Sequence, residues 1–337
     1  MVSKLKAVHS FFSYKYFSGY SILSRPLGTV TNSEVRKKRN AIFNKEKERQ
    51  QALITRVEKI EVRHEGTPEN CTLMMNRNIS TPYNCALHIS EMLTQRSVLA
   101  EVNGKLWDMH RPLEEDCTLR FLHFKIEDPF QVNKAFWRSC SFLLGLVLEK
   151  SLKDEFYVEL HSWPKPIVRS GSFVYDVDLK LGNWVLKQDE LSTLSLMMRK
   201  LRMENFKFEW LKVDQSVALK MFEDNRYKTE QIPTIASRSS VDNSVTVYRV
   251  QDHIDISGGP MISNTSQLGR VQVTAAHPLA TEQGILYRFQ GVALPSQLLL
   301  NSFAFDLLAD RAKKLNTSWL PGEPITLEQE NRKQQEA

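Results

Sequence analysis

Between Val132 and Lys153 the chain places Phe136, Cys140, Leu143, Leu144 and Val147 at i, i+4, i+7, i+8 and i+11. That spacing stacks side chains on one helical face. Gly145 interrupts the run, and glycine costs about 1 kcal/mol against alanine in a helix interior. Its presence marks close packing against another element. Upstream, Val57, Ile60 and Val62 alternate as in a strand, a turn cluster occupies 66–70, and "CTLMMNRNIST" reads as a second strand. "STPYNCALHISEML" begins with Ser80, Thr81 and Pro82 and carries Ala86, Leu87, Ile89 and Leu93, a capped amphipathic helix. "VLAEVNGKLWDM" is strand, Asn-Gly turn, strand, and Leu119, Phe121 and Phe124 close with a further strand. After Asp128-Pro129 come the helix already described, a strand in "SGSFVYDVDLKL", and a helix then extended chain over 187–213. A second amphipathic helix follows at 214–228, then short strands from about 243 to 293. The pattern predicts an α+β protein with one small unit over 57–127 and a larger one over 128–310.

Charge divides the chain differently. Residues 1–56 hold twelve Lys/Arg and three acids, a local charge of +9; the rest holds 33 basic and 36 acidic residues, or −3. Residues 1–33 contain no Asp or Glu, six serines before residue 25, and the aromatics Phe11, Phe12, Tyr14, Tyr16 and Phe17. Basic, Ser-rich and acid-free is the composition of a mitochondrial transit peptide, expected over 1–32; the other reading is a basic tail. A helical arm is expected over 33–56, with Ser33 able to cap it. Its apolar face is too narrow for a core alone to hold it. Such a helix is either solvated or laid along something acidic. A phosphate backbone would meet Arg36, Lys37, Lys38, Arg39, Lys45, Lys47 and Arg49. Residues 311–337 read as a polar tail.

Other chemistries find little footing. Cys71, Cys85, Cys117 and Cys140 form no CxxC and no Cys/His cluster, so they read as buried free thiols, with no metal site or disulfide framework. No apolar run approaches the roughly 18 residues of a membrane helix. His64, His88, His110 and His123 sit at no ligand spacing and read as surface or edge residues; His253 reads as structural.

The motifs then converge on known families. "NGKLWDMHRPLEEDCTLRFL" (103–122) resembles the β-grasp module called a TGS domain, a docking unit found in threonyl-tRNA synthetases. Further motifs follow in the order in which those synthetases carry them in their second N-terminal domain. They are "RSCSFLLGLV" (138–147), "SFVYDVDL" (172–179), Ala218 and Phe222 with Tyr227-Lys228, "IDISGGPM" (254–261) and "LYRFQGVA" (286–293). In the synthetases this domain hydrolyses mischarged Ser-tRNA, using two histidines one helical turn apart plus a Cys and a His in the later motif. The resemblance places Phe142 and Leu146 at the two helical positions and Ser257 and Met261 at the later pair. Phe, Leu and Met accept no proton and polarise no water. No catalytic residue and no cofactor is therefore expected.

The arm "RNAIFNKEKERQ", "NRNISTPYNCALHISE" and "NKAFWRSC" resemble the threonyl-tRNA-synthetase-like family of the large mitochondrial ribosomal subunit, number thirty-nine in its naming. That resemblance implies a structural protein of the mitochondrial matrix. Its partners would be large-subunit rRNA and neighbouring ribosomal proteins, with no membrane and no small-molecule substrate. The alternatives are a free-standing trans-editing deacylase, which the loss of both helical histidines contradicts, and a tRNA-binding module outside the ribosome.

Overall fold

The computed structural model describes residues 31–181, 185–239 and 243–321. The expected transit peptide lies outside them apart from Thr31 and Asn32. Helix α1 (Asn32–Ala52) is the basic arm. It begins earlier than its Ser33 suggested. Thr31 is the N-cap, its side chain accepting from the Glu34 backbone while the Glu34 side chain accepts from the Thr31 backbone.

A five-stranded sheet follows, in the order β2-β1-β5-β3-β4. It is built from β1 (Lys59–His64), β2 (Cys71–Asn76), β3 (Leu99–Val102), β4 (Lys105–Trp107) and β5 (Cys117–Leu122). β1 and β5 pair in parallel and the other neighbours antiparallel. Its apolar face packs on Cys85, Ala86 and Leu93. The helix expected over 80–93 is two, α2 (Pro82–Ile89) and α3 (Glu91–Arg96). Ser90 separates them: its extended backbone ends α2, and its hydroxyl accepts from the Met92 N–H to cap α3. His64, expected at the surface, is instead buried, with Nδ1 3.2 Å from the Leu119 carbonyl.

The remaining elements are α4 (Phe130–Ser151), β6 (Glu159–Ser162), β7 (Phe173–Asp178), α5 (Gln188–Glu204), β8 (Glu209–Asp214), α6 (Gln215–Met221), α7 (Arg226–Ser237), β9 (Ser244–Val250), β10 (His253–Ile256), β11 (Leu268–Thr281), β12 (Gly284–Pro295) and α8 (Ser302–Arg311). They form a four-stranded sheet, β11-β12-β7-β6, and a three-stranded sheet, β10-β9-β8, both antiparallel. α4 runs through the main core with residues of both sheets around it. Gly145 is the close approach its sequence suggested: a Cβ there would lie 2.6 Å from the Tyr175 ring. The helix expected over 214–228 is α6 and α7, because Asn225 caps a new helix that continues to Ser237. The strands expected to be short at 268–295 are a long hairpin.

The supposed polar tail also changes character. Arg288 is fully buried, grips both oxygens of Asp176 at 2.7 Å, and donates to the carbonyls of Asn316, Ser318 and Trp319 at 2.8, 2.9 and 3.0 Å. Residues 312–321 are thus strapped to the β7–β12 pair. Residues 322–337 lie outside the described part.

Candidate functional site

Two places answer to the sequence reading: the four positions that the resemblance matches to an editing site, two of them on α4, and the basic face of α1. At the first, Phe142, Leu146 and Met261 are all buried members of the main core. The Phe142 ring sits 4.9 Å from His253, 5.6 Å from Phe208 and 6.3 Å from Trp163. Ser257 stands apart in the turn after β10, where its Oγ accepts a 3.3 Å bond from the Gly259 N–H.

Around this apolar plug lie charged groups that meet one another. Asp255 takes a 2.6 Å ion pair from Lys228 and a hydrogen bond from the Tyr175 hydroxyl, all three buried. The Lys228 ammonium also lies 5.5 Å from the Trp163 ring centre. On the other side, Glu149 at the end of α4 binds His253 Nδ1 at 2.7 Å and Arg39 at 3.0 Å. The side chains of Arg39, Glu149 and His253 are 3%, 2% and 0% exposed. Burial opposes ionisation of Glu149, but Arg39 and His253 outweigh it and hold the carboxyl down at about 2. Asp108, from the loop after β4, reaches across to accept from the Met261 N–H at 2.8 Å and the Tyr248 hydroxyl at 2.9 Å. Burial pushes its carboxyl up to about 6 against these bonds.

The arm answers the question its charges posed: it is laid along something acidic, and much of that is the chain's own body. Arg36 pairs with Asp252 at 3.0 Å, Lys38 with Asp224 and Glu223, Arg39 with Glu149, and Lys47 with Glu209 at 2.6 Å. Arg49 pairs with Glu46 of its own helix at 2.7 Å. Val35 and Phe43 are buried beneath, with Arg249 stacked over the Phe43 ring at 4.2 Å. Asn32 ties the first turn to the carbonyl of Phe156 and the N–H of Val158. Of the seven cations expected to meet phosphate, Lys37 and Lys45 are exposed and have no ion-pair partner among the described residues.

Residues 65–123 match the TGS domain family. Over 296 residues the sequence is 49% identical to the large ribosomal subunit protein mL39 of Drosophila melanogaster, spanning 87% of this chain and 88% of that one. The chain belongs to the mL39 family. It is also 31% identical over 232 residues to a probable cytoplasmic threonine–tRNA ligase 1 of Dictyostelium discoideum, and 29% identical over 231 residues to the human cytoplasmic threonine–tRNA ligase 1. Those matches take up 67% and 66% of this chain but only 30% and 29% of the ligases. The mL39-family chain thus shares about two thirds of its length with the ligases.

Glu149, Lys228 and Asp255 draw no role as ion-pair partners from their sequence positions, and Arg39, expected to meet phosphate, is instead buried against Glu149. One signal was available for Asp255: "IDI" (254–256) sets an aspartate between two isoleucines, and a carboxylate buried in such a strand requires a cation or donors. The partner's position in the chain is not readable from that.

Proposed function

We propose that this chain is a non-catalytic structural component of the large subunit of the mitochondrial ribosome, working in the matrix. The observation that carries the proposal is the 49% identity with a large ribosomal subunit protein across most of both chains. The parts we assign are an arm over 33–56, a docking module over 57–127, and a synthetase-like domain from 128 to which residues 312–321 add a strap. Loss of catalysis is supported by the apolar residues at 142, 146 and 261 and by their complete enclosure. His253, whose ring lies 4.9 Å from Phe142, is itself fully buried. We assign contact with rRNA phosphates chiefly to Lys37 and Lys45, since intramolecular pairing already engages Arg36, Lys38, Arg39, Lys47 and Arg49.

The test is mass spectrometry of mitochondrial sucrose-gradient fractions. Comigration with large subunits is expected; a peak confined to the top of the gradient overturns the ribosomal reading and favours a free tRNA-binding factor. Purified protein incubated with Ser-tRNA should release no serine above a no-protein control. The similarity to the ligases is the specific reason to run that second assay.

A further inference from the structure

A groove of about 910 Å³ runs between the C-terminal end of α1, the turn after β2 and the first half of β8, which is an outer strand of its sheet. Three aliphatic side chains stand open on its walls: Leu53 is 68% exposed, Val57 57% and Ile79 45%. Trp210 is also part of the lining. Apolar groups exposed together in a concavity of this size are the mark of a binding surface.

The charges around it are unequal in a useful way. Each carboxylate has its own cation: Glu58 pairs with Arg77 at 3.1 Å, Glu114 with Arg111 at 2.9 Å, and Glu209 with both Lys47 and Arg249. Arg56 and Lys207 are exposed on the lining and have no carboxylate partner among the described residues. The groove therefore offers an apolar wall and two unspent positive charges.

We propose that this groove binds an extended segment of a neighbouring protein carrying aliphatic side chains and two or more carboxylates. The aliphatic wall decides against nucleic acid. A phosphodiester chain would gain nothing from Leu53, Val57 and Ile79 and would find only two free cations, whereas a peptide buries the wall and pairs both charges. The proposal uses the ribosomal reading only to say where the partner is found.

The test places photo-reactive benzoylphenylalanine at Val57 in the full chain, with the same group at Glu282 on the β11–β12 turn as control. Mitochondria are irradiated, extracts are run on a gradient, and adducts are identified by mass spectrometry in every fraction. The chain's sedimentation reports on the ribosomal reading by itself. The adduct reports on the groove, in whichever fraction the chain runs. Expected is a protein adduct specific to position 57, mapped to a segment with aliphatic and acidic residues. Combining it with Arg56→Glu and Lys207→Glu should cut the yield at least tenfold; both positions are exposed, so the fold is undisturbed. An RNA adduct, no adduct, or a protein adduct indifferent to both reversals overturns the proposal.

Discussion

The ion pair between Arg39 and Glu149 is the strongest tie between the arm and the body, and its strength can be worked from the structure. Both side chains are almost completely buried. Removing one partner of a buried pair strands the other charge at a cost of about 3–5 kcal/mol. The carboxyl of Glu149 gives a second route to the same quantity. It is held at about 2, against 4.5 for a free glutamate, and that difference corresponds to roughly 3 kcal/mol of stabilisation of the charged form. Arg39→Met and Glu149→Gln should therefore each cost about 3–5 kcal/mol in urea unfolding followed by tryptophan fluorescence. For a domain of about 200 residues that is a fall of roughly 6–20 °C in Tm. The double variant leaves no orphaned charge, so its loss should fall short of the sum by several kcal/mol. The internal control is Arg36→Met, whose partner Asp252 is 45% exposed; its pair should be worth about 1 kcal/mol or less. Additive losses in the double variant, or an Arg39→Met cost no larger than that of Arg36→Met, would refute the view of α1 as an electrostatically seated part of the fold.

Other perturbations test neighbouring parts of the argument. Two carboxyls should shape the acid limb of stability in opposite senses. Glu149, lowered to about 2 from 4.5, contributes fully above pH 4.5 and is lost as pH falls toward 2; Asp108, raised to about 6 from 3.8, adds stability as pH falls from 6 toward 4. Glu149→Gln should flatten the first limb and Asp108→Asn the second in urea midpoints measured from pH 3 to 8. Gly145→Ala drives a methyl to within 2.6 Å of the enclosed Tyr175 ring, so a loss of about 1–3 kcal/mol is expected; a neutral result would contradict the close contact. Phe142→Ala opens the plug and should cost about 3–5 kcal/mol by the same measurement. Burial raises the Cys85 thiol to about 12 and the Cys140 thiol well above its usual range. Alkylation of the native protein should therefore label Cys71 first, read by peptide mass spectrometry.

How much of this was legible in the sequence depends on the range of the interaction. Local signals read well. The Asn103-Gly104 turn, the periodicity of α4 and the tight glycine at 145 are each set by a few neighbouring residues. β11 and β12 were read as short strands because β12 is buried on both faces, which erases the alternation that reveals a half-buried strand. The arm's internal partners are hidden for the opposite reason. Seven cations between 36 and 49 signal an anion, but nothing local to 33–56 says that Glu149, Asp224 and Glu209 supply part of it from more than a hundred residues away. The last ten described residues read as a tail because most of their anchoring uses backbone carbonyls, which any sequence provides; beyond the Asn316 side chain, which donates to Ser170 and Ser172, the informative residue, Arg288, lies in β12.

Apolar and charged burial differ in how independently their positions can change. An apolar residue at 142, 146 or 261 adds contact and removes a group that would need solvating, so each such position is stable by itself. The surrounding ions are not independent in this way. Lys228 without Asp255, or Glu149 without Arg39 and His253, would leave a bare charge in the core. A fold of this kind can therefore replace pocket-facing groups singly, but its buried pairs only together. Here one member of such a set, Arg39, comes from the arm. The arm is thus tied to the body at the level of the core: a variant that detaches it uncovers Glu149, the partner of the His253 ring that lies against Phe142.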